Sequence, residues 1–333
     1  MKEPSSRNVT ASWLARLAVG TIAACLALTG PVAWAQETWL SALGAVPASR
    51  PDNAAAAAEE AEGSANPYPV TLAVEYALVS DYIWRGANFS EAPRERTEKL
   101  NHQLDVSLSA DLKDLNLPDF GSITFDVWFE WYEGQRAFGP GVETTLQEVD
   151  YTLSWSYEVP ETPVTVELGW IAYTFPNATG DFYSSYEVYG SISLNDGALF
   201  GSEDGVLNPS VTYYWDYDVV KAGSLVVGFE HEFDLSALGD APLLRATTIT
   251  PSLGLLVDNR YWDKALAPTG HKSTRLATVE VGLKAGFDLN ELLDIPARYG
   301  GFSAGVFVNF SDALREDLLN DEFYGGATVG FEW

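Results

Sequence analysis

Between Gln103 and Leu112 every second side chain is apolar: Leu104, Val106, Leu108, Ala110 and Leu112 alternate with Gln103, Asp105, Ser107, Ser109 and Asp111. A period of two puts the two sets on opposite faces of an extended strand, which no helix does. The pattern returns as Ile123, Phe125, Val127, Phe129 and Trp131 against Thr124, Asp126, Trp128 and Glu130. It returns again as Val149, Tyr151, Leu153, Trp155 and Tyr157 against Glu148, Asp150, Thr152, Ser154 and Ser156. The same reading predicts strands at 70–84, 103–112, 122–132, 147–157, 164–175, 185–194, 208–215, 223–233, 247–257, 276–287, 302–310 and 323–333. An even set of strands of this length predicts an all-β fold, a transmembrane antiparallel up-and-down β-barrel, because lipid leaves no sheet edge unpaired.

A soluble β-sandwich also alternates, and the aromatic residues separate the two readings. Tyr82, Trp84, Trp131, Tyr213, Trp215, Phe310 and Phe323 fall on the apolar face toward one rim, and Tyr68, Tyr157, Phe233, Phe287, Phe302, Phe331 and Trp333 toward the other. Two girdles flanking an aliphatic band match the two interfaces of a bilayer. A sandwich concentrates its rings mid-strand, against a partner sheet. With 47% hydrophobic and 13% aromatic residues the chain is too apolar for an acidic disordered polymer. Its net charge of −28, from 19 basic and 47 acidic residues, argues against nucleic acid, which draws on clustered Lys and Arg. One Cys and three His exclude a disulfide framework, a zinc cage or a haem, so neither a cofactor nor a metal is expected.

Lys2, Arg7 and Arg16 precede an apolar stretch at 17–28, and Ala33-Trp34-Ala35 followed by Gln36 forms a small-x-small cleavage site. Residues 1–35 therefore read as a secretory signal peptide. Ile22-Ala23-Ala24-Cys25 offers a second processing route, in which Cys25 becomes a lipid-modified N-terminus. Removal of the leader leaves a chain without cysteine, which suits an oxidising compartment. No later segment reaches the ~18 apolar residues of a spanning helix. Residues 36–67 shift to Ala, Glu, Pro and Ser and read as a periplasmic linker, leaving 68–333 for the barrel and the cell outer membrane as the destination.

By parity the inner face carries Glu75, Asp81, Asp105, Asp111, Asp126, Glu130, Glu148, Asp150, Glu167, Glu187, Glu230, Glu232, Glu280 and Asp288, against Arg85 and Lys284. So one-sided a wall is not neutralised by internal pairs, which predicts a hydrated, cation-screened lumen rather than a dry, plugged core. Twelve strands lie between the roughly eight that side chains fill and the roughly 16 that leave an aqueous channel, so a narrow pore is expected. Trp128, Tyr173, Tyr189, Tyr214 and Tyr324 narrow it, or offer stacking surfaces to a sugar ring. Strands three and four bring Asp126 and Glu130 toward Glu148 and Asp150, an oxygen set that attracts divalent cations. No loop has the glycine-punctuated acidic spacing of a dedicated calcium site, so a diffuse cation-attracting field is the expected role.

The last strand presents Phe323, Gly325, Ala327, Val329, Phe331 and Trp333 on its outer face. Its end, with Phe331 and Trp333, resembles the C-terminal signal by which outer-membrane barrels are handed to the barrel assembly machinery. At the end of the first strand stands Val79-Ser80-Asp81-Tyr82-Ile83-Trp84-Arg85-Gly86, with Ser90 four residues on. Here the chain resembles a proteobacterial family of outer-membrane porins, the TorF-like group, whose first strand carries a Ser-x-Tyr-x-x-Arg-Gly-x-x-x-Ser pattern. Ser80, Tyr82, Arg85, Gly86 and Ser90 match it. The resemblance implies a barrel of about a dozen strands in the outer membrane and a transport role. From the residues themselves, Arg85 is expected to point inward and pair with carboxylates such as Asp81, with an anion-contacting or gating role as the alternative. Tyr82 and Trp84 are expected to face lipid.

Catalysis finds few ingredients. His102 and His271 fall in or beside loops, and His231 falls on the outer face near a rim beside Phe233, with no serine at its height for a nucleophile–base pair. The expected function is passive diffusion of small solutes, with cations favoured. A non-conducting structural or surface-binding barrel is the alternative, ahead of a barrel enzyme. The expected partners are the lipid bilayer, the assembly machinery and small solutes or cations.

Overall fold

The computed structural model describes residues 68–90, 99–133, 146–176, 184–202, 205–265, 274–316 and 319–333. The expected leader and linker, Cys25 and His271 lie outside the described residues. Twelve antiparallel strands close into a barrel. They are β1 (Thr71–Val79), β2 (Asn101–Asp111), β3 (Ser122–Tyr132), β4 (Leu146–Glu158), β5 (Val164–Thr174) and β6 (Ser184–Leu194). The circuit continues through β7 (Ser210–Asp216), β8 (Gly223–Glu230), β9 (Thr247–Asn259), β10 (Thr274–Asp288), β11 (Gly301–Ala313) and β12 (Glu322–Glu332). Each strand pairs with its sequence neighbours, and β1 pairs with both β2 and β12, which shuts the ring.

Burial follows the alternation. In β3, Ser122, Thr124, Asp126 and Glu130 are buried inside, whereas Ile123 and Phe125 are exposed outside at 40% and 44%. Tyr151, Leu153, Leu168, Ile192, Val211, Val306, Val308 and Val329 are likewise exposed apolar residues on outer positions. A ring of aliphatic and aromatic side chains with nothing packed over it is unstable in water and matched to hydrocarbon. Trp131, Tyr213, Trp215, Phe310 and Phe323 occupy the rim away from the described chain ends, as expected. At the opposite rim Tyr68 meets Trp333 edge-on at 6.3 Å, and Phe302 meets Phe331 at 5.1 Å.

Aspartates fasten the connections at this terminal rim. Asp288 accepts from the amides of Asn290 (2.7 Å) and Glu291 (3.1 Å) and caps a helical turn at Leu289–Leu293. Asp196 accepts from the amides of Val206, Leu207 and Asn208, at 2.7, 2.9 and 3.2 Å from one oxygen. Asp111 accepts from the Lys113 amide at 3.0 Å and pairs with its ammonium at 3.2 Å. Asp111 and Asp288 are therefore turn caps rather than lumen wall. An Asx side chain beside a free amide supplies the hydrogen bond the turn lacks, and that outweighs strand parity at a strand's last residue.

Val308 sits midway along β11 on the outer face. Val308→Arg is expected to cost about 2–4 kcal/mol in a bilayer, and Ser107→Arg, on the inner face of β2, much less. Unfolding from lipid vesicles measured by tryptophan emission checks the contrast.

Candidate functional site

The chain leaves the wall after Val79. Ser80 holds the departure against β12: its amide donates to the Gly325 carbonyl at 2.9 Å, and its Oγ accepts from the Gly325 amide at 3.1 Å. Ile83–Trp84 and Ala87–Asn88 then pair as a small hairpin, closed by Arg85 and Gly86 with φ of 50° and 79°. Two consecutive left-handed residues make the tight turn whose twist suits a hairpin. Glycine is required at the second position for a further reason, since a Cβ there would lie 2.4 Å from Thr278 Cγ2 on β10. Ser90 ties the base, its Oγ accepting from the Tyr82 amide at 2.7 Å and from Asn101 Nδ2, and its carbonyl accepting from the Tyr132 hydroxyl.

This hairpin lies inside the barrel, which overturns the expected outward placement of Tyr82 and Trp84 and shortens the first strand by five residues from its expected end at 84. Tyr82 is 7% exposed and tilts against Trp128 at 5.5 Å. Trp84 makes edge contacts with Tyr173 (5.9 Å), Tyr261 (5.3 Å) and Trp262 (5.6 Å). Arg85 points inward as expected, but its partner is Glu187 of β6, not Asp81. Its guanidinium also lies over the rings of Trp84, Tyr214 and Tyr261, at 4.4, 5.0 and 4.7 Å from their centroids. Asp81 instead accepts from Asn88 Nδ2 at 3.1 Å, bracing the hairpin's own stem.

A second inward element meets the first. The helical turn Tyr261–Ala265 follows β9, with its first amides received by Asp258, at 2.6 Å from Tyr261 and 3.3 Å from Trp262. Trp262 Nε1 donates to the Arg85 carbonyl at 3.0 Å. Arg315, itself 0% exposed, pairs with Asp258 and, at 3.0 Å, with Asp263. Hairpin and helical turn touch β2 and β3 through Ser90 and Tyr82, β5 to β7 through Trp84 and Arg85, and β10 through Gly86. The half of the lumen away from the chain ends is filled, where the sequence predicts a hydrated lumen rather than a plugged core.

Beneath the hairpin lies a polar vestibule. Glu75, Asp81, Gln103, Asp105 and Lys284 line it, with Tyr82, Ile83, Trp128, Phe307 and Tyr324 as its apolar parts. The register sets Asp126 opposite Ser107 and Asp105 opposite Trp128, so the two carboxylates are diagonal neighbours. Deeper in the wall, Glu167 accepts from the Tyr189 hydroxyl, whose ring lies across Gly169, where a Cβ would meet it at 2.1 Å. Glu130 faces Glu148 directly, and Asp150 faces Trp128. All three carboxylates are buried. The described residues contain no group of three or more His, Cys, Asp or Glu placed to hold a metal. Of the five expected constricting aromatics, Tyr173 and Tyr214 pack against the plug and Trp128 and Tyr324 border the vestibule.

The mouth at the terminal rim carries Glu230 and Glu232. Burial and the neighbouring Glu230 push the Glu232 carboxyl up to about 8. His231 packs edge-on against Phe233 at 4.3 Å, and burial lowers its pKa. His102, the second residue of β2, has two side-chain contacts: its Nδ1 lies 2.5 Å from the Tyr76 hydroxyl and its Nε2 3.0 Å from Glu133. Tyr76 and Glu133 are exposed, and His102 partly so.

No family model matches the sequence, and no curated protein does either. The TorF-like resemblance therefore rests on the five motif positions. Among solved structures, the COG4313 outer membrane channel from Pseudomonas putida F1 is similar at 10% identity and a TM-score of 0.45, over 82% of this chain and 98% of that one. The KdgM porin in complex with disordered oligogalacturonate is similar at 11% identity and a TM-score of 0.37, over 79% and 98%. OprB from Pseudomonas putida follows at 10% and 0.34, over 79% and 94%. Fold and site together define a closed β-barrel of the transmembrane kind, with an internal plug over a polar vestibule.

Two outcomes follow. Arg315→Ala leaves Asp258 and Asp263 without their buried partner, an expected loss of about 3–5 kcal/mol, and frees the helical turn so that trypsin cuts after Arg260 or Lys264. For Glu232, the folded pKa lies above the ordinary 4.5, so its protonated form favours folding. That contribution is complete below about pH 4.5, declines as pH rises, and is gone above about pH 8. Denaturant midpoints measured across this range are expected to fall less steeply in Glu232→Gln than in the parent.

Proposed function

We propose that the protein is an outer-membrane channel for small solutes, preferring cations, which the motif hairpin keeps shut at rest. The observation that carries this reading is the sign of the vestibule wall: Glu75, Asp81 and Asp105 against Lys284, directly beneath the plug. A charged, low-dielectric concavity of one sign concentrates counter-ions and repels anions. In this reading the leader delivers the chain to the periplasm, Phe331 and Trp333 are read by the barrel assembly machinery, and the far rim faces outward. The lumen carboxylates expected from the sequence divide into two roles. Glu75, Asp105 and Asp126 set the field, while Glu187 latches Arg85.

A second reading has its own support. The hairpin and the turn at Tyr261–Ala265 fill the far half of the lumen, which suits a non-conducting barrel that holds up its outer loops.

Planar-bilayer recording separates the two. Gly86→Cys with Thr278→Cys puts a Cβ at 86 about 3.6 Å from that of residue 278, inside the roughly 3.5–4.5 Å of a disulfide. The oxidised pair is expected to abolish openings and a reductant to restore them. Glu187→Ala, which strands Arg85, is expected to raise open probability at least about tenfold, given what a broken buried pair costs. Glu75→Gln with Asp105→Asn is expected to move the reversal potential toward zero. Silence in every variant, including one whose residues 81–89 are replaced by a short Gly-Ser link, establishes the non-conducting barrel.

A further inference from the structure

The wall on which the hairpin tip rests holds a charge that the plug does not use. Glu280 of β10 is 6% exposed, and its Oε2 accepts from the Tyr324 hydroxyl at 2.7 Å. Among the described residues no Lys or Arg forms an ion pair with it. Around it the wall is polar and unsatisfied. Ser311 lies directly opposite Glu280 in the β10–β11 register, and Thr278 is two residues along β10 on the same face. Both are 0% exposed, and neither hydroxyl oxygen has a hydrogen-bond partner. Asn309, 1% exposed, lies opposite Tyr324, and its side chain meets that residue's hydroxyl.

A carboxylate in such surroundings needs a positive charge, and orphaned hydroxyls need water or an ion. The donors are all hard oxygens: one carboxylate, two hydroxyls and one amide carbonyl. With a single negative charge among them, the set balances one positive charge. A divalent ion takes more carboxylate oxygen than this wall offers. We propose that Glu280, Ser311, Thr278 and Asn309 bind one monovalent alkali cation, with its remaining water, in the seam between the hairpin and the β10–β11 wall. Gly86 bears on Thr278 at this seam, so the bound ion lies beside the tip of the plug. The site deepens the channel reading by naming where a cation rests on its way past the hairpin. Occupancy itself does not require conduction.

Binding is therefore measured without current. The refolded full-length barrel in detergent is unfolded thermally in NaCl or KCl and, at equal ionic strength, in N-methyl-D-glucamine chloride. An ion that binds only the folded state shifts the unfolding equilibrium on the order of tenfold when present at ten times its Kd. The parent is expected to be stabilised by the alkali cation, Glu280→Gln to lose that response, and Ser311→Ala and Thr278→Val to need several-fold more salt for it. Should the amide variant not refold, the latter two carry the test. Equal stability in all three salts overturns the proposal and leaves Glu280 a protonated, hydrogen-bonded carboxyl. An alkali response that survives in Glu280→Gln places the ion elsewhere and overturns it too. A silent bilayer with an intact alkali response defeats the channel reading and leaves this site standing.

Discussion

Closure of the strand ring is the constraint from which the rest of the structure follows. Once β1 pairs with both β2 and β12, the strand ladder has no free edge, and the outer face is free to be largely apolar. Polarity then has one place to go. Most strand carboxylates, Asp126, Glu130, Glu148, Asp150, Glu167, Glu187 and Glu280 among them, are buried on the inner face, whereas Asp111 and Asp288 serve turns and Asp312 stands on the outward parity of β11. The interior must in turn answer for those charges, with arginine in the far half and Lys284 in the vestibule wall.

Two arginines do most of the answering. Arg85 and Arg315 are 1% and 0% exposed, and each fixes an inward segment to carboxylates of the wall. Arginine suits this task because a planar guanidinium stacks on rings while donating in its plane. Arg85 uses both faces of that chemistry, with three aromatic rings around it and Glu187 at its edge. A lysine there keeps the charge and loses the stacking. The left-handed backbone at Arg85 costs about 1–2 kcal/mol, and it persists because the ion pair and the Trp262 hydrogen bond to its carbonyl hold it.

The sequence made the wall legible and left the plug hidden, for one reason. Alternation reports a residue's face only while the chain stays in the sheet. From Val70 to Val79 the inference holds, and from Ser80 onward the same parity places Tyr82 and Trp84 on lipid, because period two continues by coincidence into a segment that has left the wall. The turn that gives it away, Arg-Gly, lacks the Asn-Gly or Asp-Gly signature of tight hairpins. Asp111 and Asp288 went astray similarly, since parity does not record that a strand's last residue serves its turn. The five-position motif was visible as a motif. Its meaning needed the fold: Ser80 anchors, Tyr82 and Ser90 close the base, and Arg85 and Gly86 form the tip.

The far half of the lumen is closed by aromatic packing on the β5 to β9 side, where Tyr173, Tyr214, Leu256 and Trp262 are buried together. On the β10 and β11 side the hairpin meets Thr278, Glu280, Asn309 and Ser311 instead. An aromatic contact is lost as a whole when its surfaces part, whereas a polar seam exchanges side-chain partners for water with little net change. The two faces of the hairpin are thus unequal in what separation costs. The Arg85–Glu187 pair and the aromatic face therefore set the larger cost of releasing the hairpin, and the polar seam the smaller.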